Sequence, residues 1–365
     1  MALSKIDTTN MIEDVPQSKL DNNINFRNII INGSMDIAQR GTSASSLTST
    51  SYPTVDRFQF QVGSAGTWSV EQSSTVPSGQ GFAKSTKIDC TTADASLGAS
   101  DYVILNQNIE GQNLQYLKKG TSSAESLTCS FWVRSNKTGT YICEIADDDN
   151  VRQISRSYTI NSADTWEKKT LTFVGDTSGT LDNDNATSLQ LLFWLAAGSN
   201  LSGGSSLKTS WGSTTNERVV GQVNLADSTS NEWYITGIQL EAGTTASDFE
   251  FLPHDVSLNR CKRYFQKFNS SGDEFLSFHQ SKRDVNDYIC NITLENQMRA
   301  APSFTSNFVS NHIHKRFVAY ESFTVTGSQI NEQCVAIKVA PSSDHKSTIS
   351  TCYGRGGSFE LNAEL

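Results

Sequence analysis

The chain has 365 residues, of which 36% are hydrophobic and 18% charged, both below the averages of roughly 45–50% and 25% for soluble domains. Ser, Thr, Asn and Gly fill the difference, which suits short strands joined by turns and excludes an enzyme built from helices rich in Ala, Glu, Lys and Leu; no run of about 18 apolar residues is present to cross a membrane as a helix. The net charge is −9, with 17 Lys and Arg against 27 Asp and Glu in the first 250 residues and 12 against 11 in the rest, so the larger part repels phosphate backbones and non-specific nucleic-acid binding is not expected.

The first 25 residues or so are polar, with scattered Ile and Leu and no sustained period, and a segment of this kind orders only when something holds it. Lys5, Asp7, Glu13 and Asp14 interrupt any apolar stretch there, so no secretory signal is expected. From Phe26 the chain turns into short β-rich runs separated by Gly, Ser, Asn and Asp clusters, the spacing of a sandwich or barrel. In Cys129–Arg134, Cys129, Phe131 and Val133 share one face and Ser130, Trp132 and Arg134 the other. With Ser135–Gly139 as a turn and Thr140–Ala146 as the return, the segment reads as a β-hairpin. Further strands are expected at Lys168–Val174, Ser188–Leu195, Val219–Leu225 and Trp233–Leu240, joined by long polar loops at Gly175–Ala186 and Ala197–Asn216, the usual places for binding residues. After Pro253, Leu258, Cys261, Phe265 and Phe268 fall at helical spacing among Arg260, Lys262, Arg263 and Lys267. Residues 254–268 thus read as a helical connector to a second, smaller β domain over 269–365, with strands near Tyr288–Leu294, Arg316–Val325, Cys334–Val339 and Ser358–Leu361.

No GxSxG, Walker-type loop, HExxH or GxGxxG occurs, and His254, His279, His312, His314 and His345 all lie beyond residue 250; no enzyme is expected. Asp147-Asp148-Asp149 admits Ca²⁺ binding or glycosidase chemistry, but the latter needs two carboxyls at a set separation across a cleft, and the favoured reading is a solvated loop. His312-Ile313-His314 places two imidazoles on one face of a strand; the simpler reading is a pair of exposed strand histidines. Seven cysteines (Cys90, Cys129, Cys143, Cys261, Cys290, Cys334, Cys352) form no CxxC pair and read as reduced, buried thiols. Trp132, Trp166, Trp194 and Trp233 sit within or beside apolar strands and read as core. Trp211 lies in the polar loop Ser202–Asn216, where an indole suits stacking on a sugar ring, with Lys208, Asn216 and Glu217 nearby to bond its hydroxyls; packing beneath its own loop is the other reading. Tyr52 and Trp68 are weaker platforms of the same kind.

Several blocks in order carry a family resemblance. Asn28-Ile29-Ile30-Ile31-Asn32-Gly33-Ser34-Met35-Asp36-Ile37-Ala38-Gln39-Arg40-Gly41-Thr42 with Val55-Asp56-Arg57-Phe58 resembles the opening of a carbohydrate-binding-type jelly-roll module of bacteriophage tail fibres and related virion proteins. Ser130–Ser135, Lys137–Thr140, Thr165–Lys169 and Gly175–Gly179 are similar to its middle strands, and Gly221–Ala226 and Ile235–Gly243 to its last ones. Leu258–Gln266, Met298–Pro302 and Leu361–Leu365 resemble the helix and C-terminal domain that follow in many fibres, and Met1–Ile6 resembles their virion-anchoring start.

The resemblance implies an all-β fold: an anchoring segment over 1–26, an antiparallel jelly-roll β-sandwich over 27–253, then the connector and the C-terminal β domain. It also implies a non-enzymatic fibre or receptor-binding protein of the virion, assembled in the bacterial cytoplasm as a homotrimer. Its partners would be other virion proteins through residues 1–26 and a host cell-surface glycan or receptor, with no nucleic acid and no membrane insertion. No cofactor is expected, although three copies of His312 and His314 about a trimer axis would supply six imidazoles to a transition metal, Fe²⁺ being the family precedent. Two alternatives stand beside this reading: a virion structural protein without receptor contact, such as a head fibre, decoration protein or adaptor, and a glycan-binding module of a bacterial surface protein.

Overall fold

The structure, a computed structural model, describes residues 26–278, 280–282, 288–294, 296–306, 310–314, 320–321, 323–341 and 351–365. The expected anchoring segment lies outside the described residues up to residue 25. The chain divides into two units, one holding Thr42–Pro53 and Phe58–Leu252 together with the chain up to Asp36, the other holding Pro253–Leu365 with two short pieces, Ile37–Gly41 and Thr54–Arg57.

The first unit is a jelly-roll β-sandwich of two antiparallel sheets. Strands β1 (Ser43–Leu47), β2 (Gln59–Gly63), β3 (Thr67–Ser73), β4 (Ser85–Thr92), β5 (Tyr102–Glu110), β6 (Leu127–Ser135), β7 (Gly139–Asp147), β8 (Arg152–Ile160), β9 (Glu167–Phe173), β10 (Thr187–Ala197) and β11 (Glu232–Ala242) follow in chain order. They sort into a six-stranded sheet, β1-β3-β4-β11-β6-β9, and a five-stranded sheet, β2-β5-β10-β7-β8. Alternation along each strand sends one set of side chains between the sheets. Phe131 of β6 meets Phe193 of β10 at 5.0 Å and Tyr158 of β8 at 5.1 Å, both edge-on, and Phe60 of β2 meets Trp68 of β3 at 6.0 Å. Trp68 is therefore core and no platform. Trp194 and Trp233 are buried as expected, whereas Trp132 and Trp166 are only half-buried. Among the described cysteines, Cys90, Cys129, Cys143 and Cys261 are buried and free, and Cys334 is free and half-buried.

Two expectations about strands fail. Strands β6 and β7 do not pair: β6 joins β11 and β9 in one sheet, β7 joins β10 and β8 in the other, so the bend over Asn136–Thr138 carries the chain from layer to layer. The true hairpin is β7–β8, turning at Asp148–Val151. Val219–Leu225 is not a strand either. Val219 and Leu225 are buried, yet Gly221 has φ +90° and the backbone makes single bonds, Val219 N to the Leu201 carbonyl and Val223 N to the Thr140 carbonyl. Apolar residues fill cores there without a ladder.

The opening block of the resemblance stitches itself to the last strand. Asn28 donates to the Ile238 carbonyl at 3.0 Å and accepts from Leu240 N at 3.1 Å, and a Cβ on Gly33 would lie 2.0 Å from the Ile238 oxygen, so only glycine allows this approach.

In the second unit, helix α1 (His254–Lys262) is shorter than the expected connector, because Phe265 and Phe268 belong to the strand β12 (Phe265–Phe278). Phe268 stacks at 4.4 Å on Phe359 of the partner strand, a sheet contact of the aromatic, β-favouring kind that overrides the helical spacing. The remaining strands are β13 (Gln280–Lys282), β14 (Tyr288–Thr293), β15 (Ser303–Ser306), β16 (Ser310–His314), β17 (Tyr320–Glu321), β18 (Phe323–Ile330), β19 (Cys334–Pro341) and β20 (Thr351–Asn362). They form the sheets β12-β20-β16-β17, with β15 also on β20, and β13-β14-β19-β18. The two early pieces complete this unit: Gln39 bonds the Asp56 carboxylate and the Phe265 carbonyl, while Arg57, fully buried, pairs with Glu364 and lies 3.4 Å over the Tyr264 ring.

Candidate functional site

The outward face of the five-stranded sheet is not bare. In β10 the set Leu189, Leu191, Phe193 and Leu195 packs between the sheets, so Gln190, Leu192 and Trp194 point the other way. In β5, Tyr102, Ile104, Asn106 and Asn108 share that outward face, and in β7 Ile142 and Glu144 do. Register then sets Gln61, Ile104, Trp194 and Ile142 in one row and Gln59, Asn106, Leu192, Glu144 and Ser155 in the next. The loop after β10 folds over part of this face: Val219 is buried against Ile104, Ile142, Leu192 and Trp194, with Leu201 and Leu207 alongside.

Between loop and sheet lies a cleft of about 320 Å³, lined by residues of β2, β5, β10 and the loop. One end is formed by a single helical turn, Ser199–Ser202, seated on the Gly98–Asp101 loop. Gly198 N donates to the Asp101 carbonyl and Asn200 N to the Ala99 carbonyl, and a Cβ on Gly198 would lie 2.0 Å from the Gly98 oxygen. Asn200 Nδ2 donates to Ser100 Oγ at 2.8 Å. Tyr102 is held flat by a missing side chain: a Cβ on Gly63, its cross-strand partner, would fall 2.5–2.9 Å from three ring carbons.

Arg218 supplies the polar floor. Its guanidinium grips the fully buried Glu144 in two-pronged fashion, Nη2 to Oε1 at 2.5 Å and Nε to Oε2 at 3.1 Å, and lies 5.1 Å over the Trp194 ring. Burial works against the charge of Arg218, but Glu144 outweighs it and raises the pKa above the ordinary value, so the guanidinium keeps its charge. Ser155 Oγ also donates to Glu144 at 3.3 Å. Beside the cleft, Gln61, Asn106, Asn108 and Tyr52 form a hydrogen-bonded ladder of amides and one phenol. The indole N–H of Trp194 finds no acceptor among the described residues, so packing and the guanidinium hold that ring.

The four loop residues marked by the sequence as a sugar platform occupy other positions. Trp211 is half-buried, donates Nε1–H to the Val174 carbonyl at 2.7 Å and has the Lys119 ammonium 5.1 Å from its ring. The Lys208 carbonyl accepts from Ser155 N, its N–H donates to the Glu217 carbonyl, and its Nζ lies 3.6 Å from the Glu217 carboxylate. Asn216 is exposed, its carbonyl bonded by Gly204 N. These bonds, with Gln153 and Gly212 bridging, fasten the loop along the β8 edge, and none of the four lines the cleft. The same loop reaches the cleft through Asn200, Leu201 and Arg218 instead.

The acidic run is not simply a solvated loop. Asp147 is buried, bonded to the Lys119 ammonium and to Asn150, and Lys119 also reaches Asp176 at 3.2 Å and the Gly179 carbonyl at 3.0 Å. An internal ammonium thus fills the nest that the carboxylates create. His312 and His314 fall on β16, opposite Tyr353 and Thr351 of β20; their side chains lie outside what the structure describes. Among the described residues no group of three or more His, Cys, Asp or Glu is placed to hold a metal.

No family model and no curated protein matches the chain. Among solved structures it is similar to the enzymatically active domain of tailspike protein 4 of bacteriophage CBA120, at 13% identity and a TM-score of 0.31, covering 59% of this chain and 21% of that one. It is similar also to a putative sugar-binding protein from Bacteroides thetaiotaomicron, at 12% identity and a TM-score of 0.33 over 59% of this chain and 99% of that one. A third likeness, at 13% identity and a TM-score of 0.28, is to the family 11 carbohydrate-binding module from Clostridium thermocellum bound to a mixed-linked tetrasaccharide, over 56% and 98%. The chain spans about a fifth of the tailspike domain. The fold assignment rests on the sheet order and registers above and not on these likenesses.

Proposed function

We propose that the chain is a non-enzymatic attachment protein whose β-sandwich binds a saccharide in the cleft on the five-stranded sheet, in the setting of a bacteriophage virion fibre. The observation that carries this reading is the cleft itself. Saccharide recognition takes a fixed aromatic surface and a few polar groups placed by a rigid scaffold, and here Tyr102 is fixed against Gly63 while Gln61, Gln190, Ser100, Asn200 and Arg218 surround the opening. Glu144, the carboxylate bonded to a lining residue, is occupied by Arg218 and Ser155, which supports binding over hydrolysis. The virion setting, a homotrimer and contacts with other virion proteins rest on the ordered sequence blocks of the resemblance. The cleft alone fits a glycan-binding module of a bacterial surface protein equally well.

Two measurements test the reading. The full chain is applied to a glycan array and then compared with a Gln190→Ala, Asn200→Ala double variant and with Trp211→Ala. Binding lost in the double variant and kept in Trp211→Ala supports the cleft. Loss on the order of 1–3 kcal/mol in Trp211→Ala alone, the scale of a removed aromatic stacking platform, moves the site to the β8 edge. Antibody labelling of intact particles, followed by imaging, decides between a tail fibre, a head fibre and a protein absent from virions.

A further inference from the structure

We infer that the cleft is selective for the uncharged end of a saccharide chain and discriminates against acidic sugars; this rests on the saccharide-binding reading above. The lining carries one ionised group, Arg218, and its charge is met at bonding distance by the fully buried Glu144. To an incoming ligand the pair presents almost no net charge. A carboxylate entering the cleft would give up its water for a cation already satisfied by another carboxylate, and a desolvated charge without its own partner is costly. The surroundings add to this, because the first 250 residues carry 17 basic against 27 acidic groups, a field that lowers the local concentration of anions.

The groups left over suit hydroxyls. Gln61 spends its amide N–H groups on Gln59 and Asn106, Gln190 one on Asp148, and Asn200 one on Ser100, which leaves the three amide oxygens as acceptors. On the donor side, the Arg218 Nη1 nitrogen has no acceptor among the described residues, nor has the Tyr102 hydroxyl, and Ser100 Oγ accepts from Asn200 and so keeps its own proton to give. A sugar hydroxyl both donates and accepts, so alternating donors and acceptors around one ring match a polyol and leave no buried group unpaired. The volume, about 320 Å³, is at the small end of the roughly 300–1,000 Å³ typical of ligand sites. With the Ser199–Ser202 turn forming one end, the cleft holds a chain terminus in preference to the middle of a polymer.

The test uses the full chain and titration calorimetry against two sets of oligosaccharides, neutral ones and ones ending in a uronic or sialic acid, each at 50 and 500 mM NaCl as nominal (~) concentrations on either side of physiological screening. The expected result is binding of neutral termini with an affinity that changes less than about twofold with salt, and no measurable binding of the acidic set. Glu144→Gln should leave the Arg218 charge uncompensated and raise affinity for acidic termini on the order of tenfold, in a salt-sensitive way. If that variant fails to fold, Gln190→Lys, which adds a cation at a half-buried lining position, is expected to gain acidic ligands in the same sense. Preferential, salt-sensitive binding of acidic termini by the unmodified chain overturns the inference and leaves saccharide binding standing. No binding of either set overturns both.

Discussion

Asp56 carries a cost that pH can remove. It is almost entirely buried, and burial pushes its carboxyl up to about 6 from an ordinary 3.8, despite hydrogen bonds from Gln39 and the Arg40 guanidinium 3.8 Å away. In the unfolded chain the group ionises near its ordinary value. Between the two values the folded chain holds a proton that the unfolded chain has lost, so this contribution to stability is complete below about pH 4 and disappears as pH rises through about 6. The shift of roughly two units corresponds to roughly 3 kcal/mol. Carboxylates held low by partners work in the opposite direction, but Asp176, beside Arg152 and Lys119, and Glu167, lowered to about 2 by Lys169 and the Asn161 and Ser162 amides, begin to lose stability only below their unfolded values. Melting followed by circular dichroism should therefore show a higher midpoint at pH 5 than at pH 7.5. Asp56→Asn should flatten that difference, and an unchanged pH dependence in the variant would place its origin elsewhere.

At the scale of elements, the Ser199–Ser202 turn is a support that the cleft cannot do without. Gly198→Val drives a side chain into the Gly98 and Ala99 carbonyl oxygens, at 2.0 and 2.6 Å from its Cβ. Overpacking of this kind costs roughly 1–3 kcal/mol, and it displaces Asn200 and Leu201 directly. The expected outcome is a sandwich that still melts cooperatively but lacks the saccharide binding proposed above; retained affinity would mean that the turn is incidental. This element also marks how far the residues alone could be read. Strand positions such as Ser188–Leu195 and Trp233–Leu240 are legible because runs of apolar, β-favouring residues there are bounded by polar clusters, and the face assignment of Cys129, Phe131 and Val133 follows from their alternation. The partner of each strand is not legible, because β6 and β7 are neighbours in sequence and lie in different sheets, a tertiary choice that local pattern does not encode. The cleft is hidden for a related reason. Both faces of β10 are covered, so Trp194 and Leu192 read as ordinary core, while the loop that covers them drew attention to Trp211. The polar run Asn106-Gln107-Asn108 in the middle of an otherwise apolar strand was the signal available.

For the molecule as a whole, the second unit is assembled from distant parts of the chain. Its last residues include Glu364, whose side chain is buried and paired with Arg57 and with Arg40 at 3.3 Å, and Arg299 donates to the carbonyls of Ala363 and Glu364. Removing one partner of a buried ion pair costs roughly 3–5 kcal/mol. Glu364→Gln in the full chain should thus lower stability by about that amount in urea denaturation. A fragment starting at Pro253 loses Arg40, Asp56 and Arg57 together and is expected to show no cooperative melt. A fragment as stable as the same unit in the intact chain would show that the two early pieces are dispensable.

The placement of Ile37–Gly41 and Thr54–Arg57 bears on how such a gene can be recombined. A crossover in the neighbourhood of codon 253 looks, in sequence, like a clean exchange of one cassette for another. It would hand the incoming C-terminal half a foreign Gln39, Arg40, Asp56 and Arg57 against which to fold. Exchange is expected only between genes that agree at those positions, so the early motif would act as a compatibility tag for a region that begins about two hundred residues downstream, and chimaeras screened for solubility should sort by it.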